Sequence, residues 1–317
     1  MESKRSQTTY NVDRFIRLIM SLYKGRFVMI NVMFWNSNLC ESKENKEFKS
    51  KKIEEVIIDI AVAYESDIIV LVEFPMDTIE LCRKLEKHNR FFIHRPAMNN
   101  KNRVKILARK FLKSKIIRES KYYEIHDFEW ERSHFLIAGV HLPSKMYGDG
   151  HGQKVVSRDL YEAIVESQNE VKHSHIIVVG DFNANPFEEV MVSSEYLHAI
   201  SDAKIVQRMK SRACYGIERQ MLYNPMWNML GDYDSPTGSY YYSHGGVESL
   251  YWNIFDQVLL SPSLIQGYEK NSLKIITSIN HVVLVSEDGT PNSKSFSDHL
   301  PLVFSFKENL NERLEFR

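Results

Sequence analysis

The sequence repeatedly drives a short, almost wholly apolar run up to a polar residue and then changes character. "FVMINVMFW" (27–35), "DIIVLVEF" (67–74), "RVKILAR", "HFLIAGVHL", "HIIVVGDF", "NIFDQVLLS", "KIITSI", "HVVLVS" and "PLVFSF" all have this build. Such runs are too short for buried helices and rich in β-formers, so they are expected to be strands. A strand that is apolar at successive positions must be covered on both faces. Amphipathic helices of the required kind lie between the runs. Ile53, Val56, Ile57, Ile60, Ala61 and Tyr64 recur at helical steps, and "MDTIELCRKLEKHN" reads as a second helix. Val156, Leu160, Ile164 and Val171 share one face of a third, between His141 and Ile176. This interleaving predicts an α/β chain with two packed mixed sheets flanked by helices. Residues 193–235 have no clean period and are read as helix and loop. No Pro/Gly/Ser-rich hinge interrupts 27–317, so one domain is expected, with residues 1–26 a helical extension packed on it.

Composition removes several classes. The 317 residues carry 41 basic and 41 acidic side chains, so the surface as a whole is not the strongly basic one of a non-specific nucleic-acid binder. The three cysteines, Cys40, Cys82 and Cys214, are widely spaced and without a CxxC pair, which suits a reducing compartment rather than a disulfide framework. The N-terminus shows no secretory signal, and no run reaches the ~20 apolar residues of a membrane helix. A soluble, cytoplasmic protein without a membrane span is expected. The oligomeric state is left open.

The strand ends carry the chemistry. The first run ends at Asn36, with Asn38 just beyond; the second ends at Glu73. Later runs end at His141, at Asp181 and Asn183, at Asp256, and a further run begins just after Asp298 and His299. Taken singly, each has an ordinary use. Asn and Asp favour turns, and a lone histidine is commonly structural. Glu73 is harder to explain, because a carboxylate in an apolar strand is costly unless paired or metal-bound. Six such outcrops in order point to a shared site.

In that order the sequence resembles the endonuclease/exonuclease/phosphatase superfamily, from about Phe27 to Phe306. "MFWNSN", "VEF", "GVHLPSK", "GDFNANP", "IFDQVLLS" and "SFSDHLPLVF" are similar to its successive motifs, of which GDFN and SDH are fairly specific. The resemblance implies a four-layered α/β/β/α sandwich. It implies that Asn36 and Glu73 help hold a divalent metal, with Asp298 reaching the metal region. Asp181 would activate or orient a water, and Asn183 would hold a phosphate oxygen and position Asp181. His141 would donate to a phosphate oxygen, Asp256 would orient His299, and His299 would act as acid/base or as donor. Two departures stand out. Asn38 stands where some members carry aspartate, and Gln257 where many carry tyrosine or histidine. Residues 191–238 match no motif and read as an insertion of the kind that shapes substrate choice.

The implied kit suits phosphoester hydrolysis, whose transition state gathers negative charge on phosphoryl oxygens. Oxygen ligands favour Mg²⁺ or Mn²⁺ over zinc. A serine-based triad through Ser297 is discounted, since neighbours in a chain point different ways. The basic run from Lys101 to Lys121 reads mainly as a solvated face but keeps a polyanion in play, with Arg103 at its strand start. Tyr241 and Trp252 could stack on a base or pack in the core. Ser144 and Lys145 are close enough in sequence to His141 to touch substrate. The leading expectation is a metal-dependent phosphodiesterase, a nuclease first, with nucleic acid as partner. The alternatives are hydrolysis of a small phosphate ester (nucleotide, inositol phosphate or lipid head group) and a non-catalytic binding module.

Overall fold

The computed structural model describes residues 28–39, 46–130, 133–145, 150–233, 235–244 and 249–308. The expected N-terminal extension lies outside the described residues. In chain order the main elements are β1 (Val28–Asn36), α1 (Lys46–Ala63), β2 (Ile68–Val72), α2 (Thr78–Glu86), β3 (Phe92–His94), β4 (Val104–Arg109), β5 (Lys113–Glu119), β6 (Tyr123–Trp130) and β7 (Ser133–His141). There follow α3 (His151–Val171), β8 (Ile176–Asp181), β9 (Ala199–Ile200), β10 (Leu222–Tyr223), β11 (Asp256–Leu260), β12 (Tyr268–Ile275) and β13 (Leu302–Glu308).

Two mixed sheets stack face to face. One has the order β12-β13-β1-β2-β4-β3, the other β5-β6-β7-β8-β11-β10-β9. The pairs β1/β2 and β7/β8 are parallel, and β13/β1 and β8/β11 are antiparallel. Strands β2, β8 and β11 are buried at every residue, the polar Asp181, Asp256 and Gln257 at the strand ends included, because both faces of each sheet are covered there. Phe34, Val70, Val104 and Phe304 of the first sheet meet Phe135, Ile137, Val179 and Val258 of the second in one continuous core. Ile53, Ile57 and Ile60 of α1 pack on the outer side of the first sheet, and Leu160 and Ile164 of α3 cover the second. This is the α/β/β/α sandwich.

Some expectations need correction. "HVVLVS" is not a buried strand: Val282–Val283 pairs with Ser278–Ile279, Val285 makes a single bridge to Pro291, and Val283 is 56% exposed. "KIITSI" is split: Lys274 and Ile275 end β12, and Ser278–Ile279 forms the short ladder with Val282–Val283. Strands β3, β5 and β6 were not anticipated as elements. The 193–235 stretch is more β-rich than a helix-and-loop reading allows. It holds a short helix (Ala203–Met209), a hairpin of Ser211–Cys214 with Ile217–Gln220, and the last two strands of the second sheet, β10 and the edge strand β9. The hairpin turns through Tyr215 and Gly216, both at positive φ, the conformation of a two-residue primed turn.

At the end of the sandwich where β2 begins, Asp67 is only 8% exposed and accepts from the Asn31 amide at 3.1 Å. Burial pushes its carboxyl up to about 6, against the opposing pull of the Asn31 amide and the Arg109 and Arg90 guanidiniums. The folded value lies above that of the unfolded chain, so the native state binds the extra proton and stability falls as pH rises from about 4 through 6. Asp67→Asn is therefore expected to raise the unfolding free energy at pH 8 by roughly 3 kcal/mol. Urea melts at two pH values check it: the gain should vanish near pH 4, and an equal gain at both would refute it.

Candidate active site

The parallel and antiparallel registers line up the polar strand ends. His141 and Asp256 lie directly opposite Asp181 on its two flanking strands. Asn36 pairs with Val72, so Glu73 emerges beside it from the first sheet. The two groups face each other across the seam of the sandwich, at strand ends where α/β sheets place their ligands.

Asp181 is the hub. It is 1% exposed and accepts hydrogen bonds from Asn36 Nδ2 at 2.9 Å, from the Asn183 amide at 2.8 Å and from Asn183 Nδ2 at 3.3 Å. The Nε2 atoms of His141 and His299 each stand 3.8 Å from its Oδ2. His141 Nε2 is also 3.5 Å from Glu73 Oε1. The Nδ1 of His299 donates to both Asp256 oxygens, at 2.9 and 3.1 Å, which fixes the ring and leaves Nε2 facing the site.

Charge in this seam is unbalanced. Burial pushes the Asp181 carboxyl up to about 7, against the pull of His299, and the neighbouring Asp256 charge adds to the rise. Burial alone would push the His299 ring down, but the Asp256 and Asp181 carboxylates overcome it and raise it to about 10. His141 is pushed down to about 3, first by burial and then by Arg103, His299 and Lys121. At neutral pH His141 is thus a neutral donor or acceptor, and its contacts with Glu73 and Asp181 are polar contacts rather than ion pairs.

Three site residues sit in the left-handed region: Asn38 (φ 44°), Glu73 (φ 51°) and Asn183 (φ 48°). Asparagine tolerates it; for Glu73 it costs on the order of 1 kcal/mol. The conformation is held from outside, since the Glu73 carbonyl accepts from Ser37 Oγ at 2.7 Å and from the Leu39 amide at 3.2 Å. It turns the carboxylate of Glu73, 17% exposed, out of the apolar strand and toward the seam.

The oxygen-rich donor set fits a hard divalent cation. Glu73 and Asp298 offer carboxylates, and Asn36 Oδ1 faces the same corner, where it accepts from the Asn38 amide at 3.1 Å. Asn38 Nδ2 donates to Asp298 Oδ1 at 2.7 Å, so Asn38 positions this carboxylate rather than adding a charge. The carboxylates of Asp181, Asp256 and Asp298 all act on His299, and a bound cation would relieve that excess of negative charge. Asp181, Asp256 and His299 also lie close enough together to share an ion, but Asp256 is committed to the His299 ring.

The other expected residues fall into place unevenly. Arg103 is exposed, and its charge, with that of Lys121, is felt at His141. The rest of the basic run is largely paired on the surface, as Lys113 with Glu129 and Arg118 with Glu166 and Glu170. Lys145 pairs with Glu188, and Ser144 is half-buried next to it. Tyr241 and Trp252 meet edge to face at 5.3 Å on a short ladder. It is their neighbour Tyr240 that packs on the His299 ring, centroids 4.6 Å apart. The Ser297 hydroxyl donates to the Asn36 carbonyl at 2.6 Å and is structural.

Sequence reasoning missed the supports of the site. Trp35 Nε1 donates to the His299 carbonyl at 2.9 Å. Lys49 on α1 is buried behind Asn38 and feels the charge of Asp298. Gln257 donates to the Ala184 carbonyl at 2.6 Å and accepts from Asn224 Nδ2 at 2.8 Å, tying the loop after Asp181 to the insertion.

A family model described as Endonuclease/Exonuclease/phosphatase family matches residues 92–290. No curated protein matches the sequence significantly. Among solved structures, truncated TDP2 from Caenorhabditis elegans superposes with a TM-score of 0.54 at 14% identity, over 88% of this chain and 98% of that one. A family protein from Bacteroides thetaiotaomicron gives 0.55 at 13% identity, over 90% and 100%. At these identities the structures establish a shared fold. The family model spans well over half of the chain, and the chain belongs to the endonuclease/exonuclease/phosphatase family of divalent-metal-dependent phosphoesterases.

Proposed function

We propose that the protein is a Mg²⁺- or Mn²⁺-dependent phosphodiesterase, a nuclease, working on nucleic acid in the cytoplasm. The observation that carries this reading is the constellation around Asp181: a buried carboxylate held by two asparagines between two histidines, one charged and one neutral. Asp181, its carboxyl raised to about 7, is suited to take a proton from an attacking water. The Nε2 atoms of His299 and His141 and the amide of Asn183 surround the place where a phosphoryl group would sit. The imidazolium of His299, oriented by Asp256, opposes charge developing on phosphoryl oxygens. A divalent ion held by Glu73, with Asp298 and Asn36 beside it, would add Lewis-acid stabilisation of the same charge.

Two features favour a polymer. Arg103 and Lys121 bring positive charge to the His141 side, where a continuing phosphate backbone could lie. Tyr241 and Trp252 give a partly exposed aromatic edge next to Tyr240, suited to stacking on a base. The test is a panel of single- and double-stranded DNA and RNA oligonucleotides against free nucleotides, inositol phosphates and sphingomyelin, with Mg²⁺ or EDTA. We expect oligonucleotide cleavage that EDTA abolishes and that weakens with added salt. Faster turnover of a free phosphate ester would replace the nuclease reading with that of a small-molecule phosphoesterase.

A further inference from the structure

A second cluster of metal-ligating side chains lies at the far end of the second sheet. Asp127 is on β6 and His134 on β7. Asp127 pairs with Leu136, so His134 projects diagonally across from it on the same face, the face covered by α3. His173 comes from the connection between α3 and β8, just after Lys172 ends the helix in the left-handed conformation. His134 and His141 are seven residues apart on one strand, so this cluster stands on the order of 23 Å from the active site.

The spacing is that of co-ligands. Asp127 Oδ2 is 3.5 Å from His134 Nδ1, and Asp127 Oδ1 is 3.4 Å from His173 Nε2. The second of these is a hydrogen bond, but a long one, since a charge-assisted bond between such groups closes to about 2.7–2.9 Å. Two atoms each about 2.0–2.1 Å from one tetrahedral ion stand roughly 3.4 Å apart. All three donor groups present atoms within 4.8 Å of one another. The His173 ring is buried, and its Nδ1 has no hydrogen-bond partner among the described residues. The His134 side chain is 45% exposed, which leaves a solvent side for a further ligand. The nearest lysines do not occupy the space: Lys115 pairs with Glu170 and Lys113 with Glu129. The C-terminal end of α3, the negative end of its dipole, lies next to His173.

We propose that Asp127, His134 and His173 form a transition-metal site, for zinc first, separate from the catalytic centre. Two imidazoles and one carboxylate with an open fourth position match zinc's donor preference, whereas the oxygen ligands of the active site match magnesium. The ion clamps the α3–β8 connection to β6 and β7, at the opposite end of the strand that carries Asp181.

The test uses the full chain, stripped with chelator and titrated with Zn²⁺ or Co²⁺ under saturating Mg²⁺, and repeated in Glu73→Gln to weaken metal binding at the catalytic centre. We expect one zinc per chain, a rise in Tm, and a visible Co²⁺ spectrum in both proteins. His134→Ala changes a half-exposed side chain and should keep the fold while weakening zinc binding at least tenfold, and Asp127→Asn should do the same. Unchanged zinc stoichiometry and affinity in both variants, or no zinc binding in the parent under Mg²⁺, would overturn the site.

Discussion

Asp181→Asn is expected to lower kcat by about 10²–10⁴ while leaving the fold intact, the range set by loss of a positioned general base. The amide is isosteric and keeps one oxygen for the Asn183 N–H, now at 2.8 Å from a carboxylate oxygen. It cannot take a proton from water, and its NH₂ group now confronts Asn36 Nδ2, which donates to Asp181 at 2.9 Å. Stability should move the other way. Burial opposes the charged form of Asp181, so removing the charge relieves a cost that the fold carries for activity. The measurement pairs steady-state kinetics on the best oligonucleotide with thermal melts at pH 8. A kcat within tenfold of wild type would remove Asp181 from the chemistry. A collapsed melting curve would mean that the carboxylate is a structural group.

The strand ends of the candidate site were legible because a polar residue after an apolar run is conspicuous. Asn36, Glu73, His141, Asp181 and Asp256 each stand at the end of a run that is largely buried. What the sequence concealed has physical causes. Strand β6, "YEIHDFEW", hides two polar residues inside the protein: Glu124 and His126 are 0% and 1% exposed and pair with each other, so its apolar pattern is broken where its burial is not. "HVVLVS" errs in the opposite sense, being apolar yet carrying an exposed valine on a two-residue ladder. Tyr240 against His299, and Trp35 beneath it, are contacts between segments far apart in the chain, and no local pattern announces them. The same holds for Asp127, His134 and His173, whose spacing fits no metal motif and whose meeting depends on sheet register and on where α3 ends.

The residue before Asp181 carries the other large effect, on folding rather than chemistry. A Cβ on Gly180 would stand 2.0 Å from the carbonyl oxygen of Val140 and 2.7 Å from its carbonyl carbon, both backbone atoms of the adjoining strand. Backbone cannot rotate aside as a side chain can. Gly180→Ala must therefore push β7 and β8 apart, at the pair whose register sets His141 beside Asp181. We expect destabilisation of roughly 3 kcal/mol or more, the upper range for overpacking, and loss of activity with it. Gly139 makes an internal comparison: its added Cβ meets side-chain methyls and no backbone, those of Val104 at 2.7 Å, Val70 at 3.0 Å and Ile106 at 3.3 Å, so Gly139→Ala should overpack the core but be milder than Gly180→Ala. Gly152 has nothing within 4 Å of an added Cβ and lies in the first turn of α3, so Gly152→Ala should leave the melting temperature unchanged or raise it. Soluble yield, far-UV circular dichroism and Tm of the three variants decide the order. A Gly180→Ala protein that melts with the Gly152→Ala control would show that the two strands can separate without loss. The glycine of GDFN would then owe its place to the loop that follows rather than to the close approach of β7.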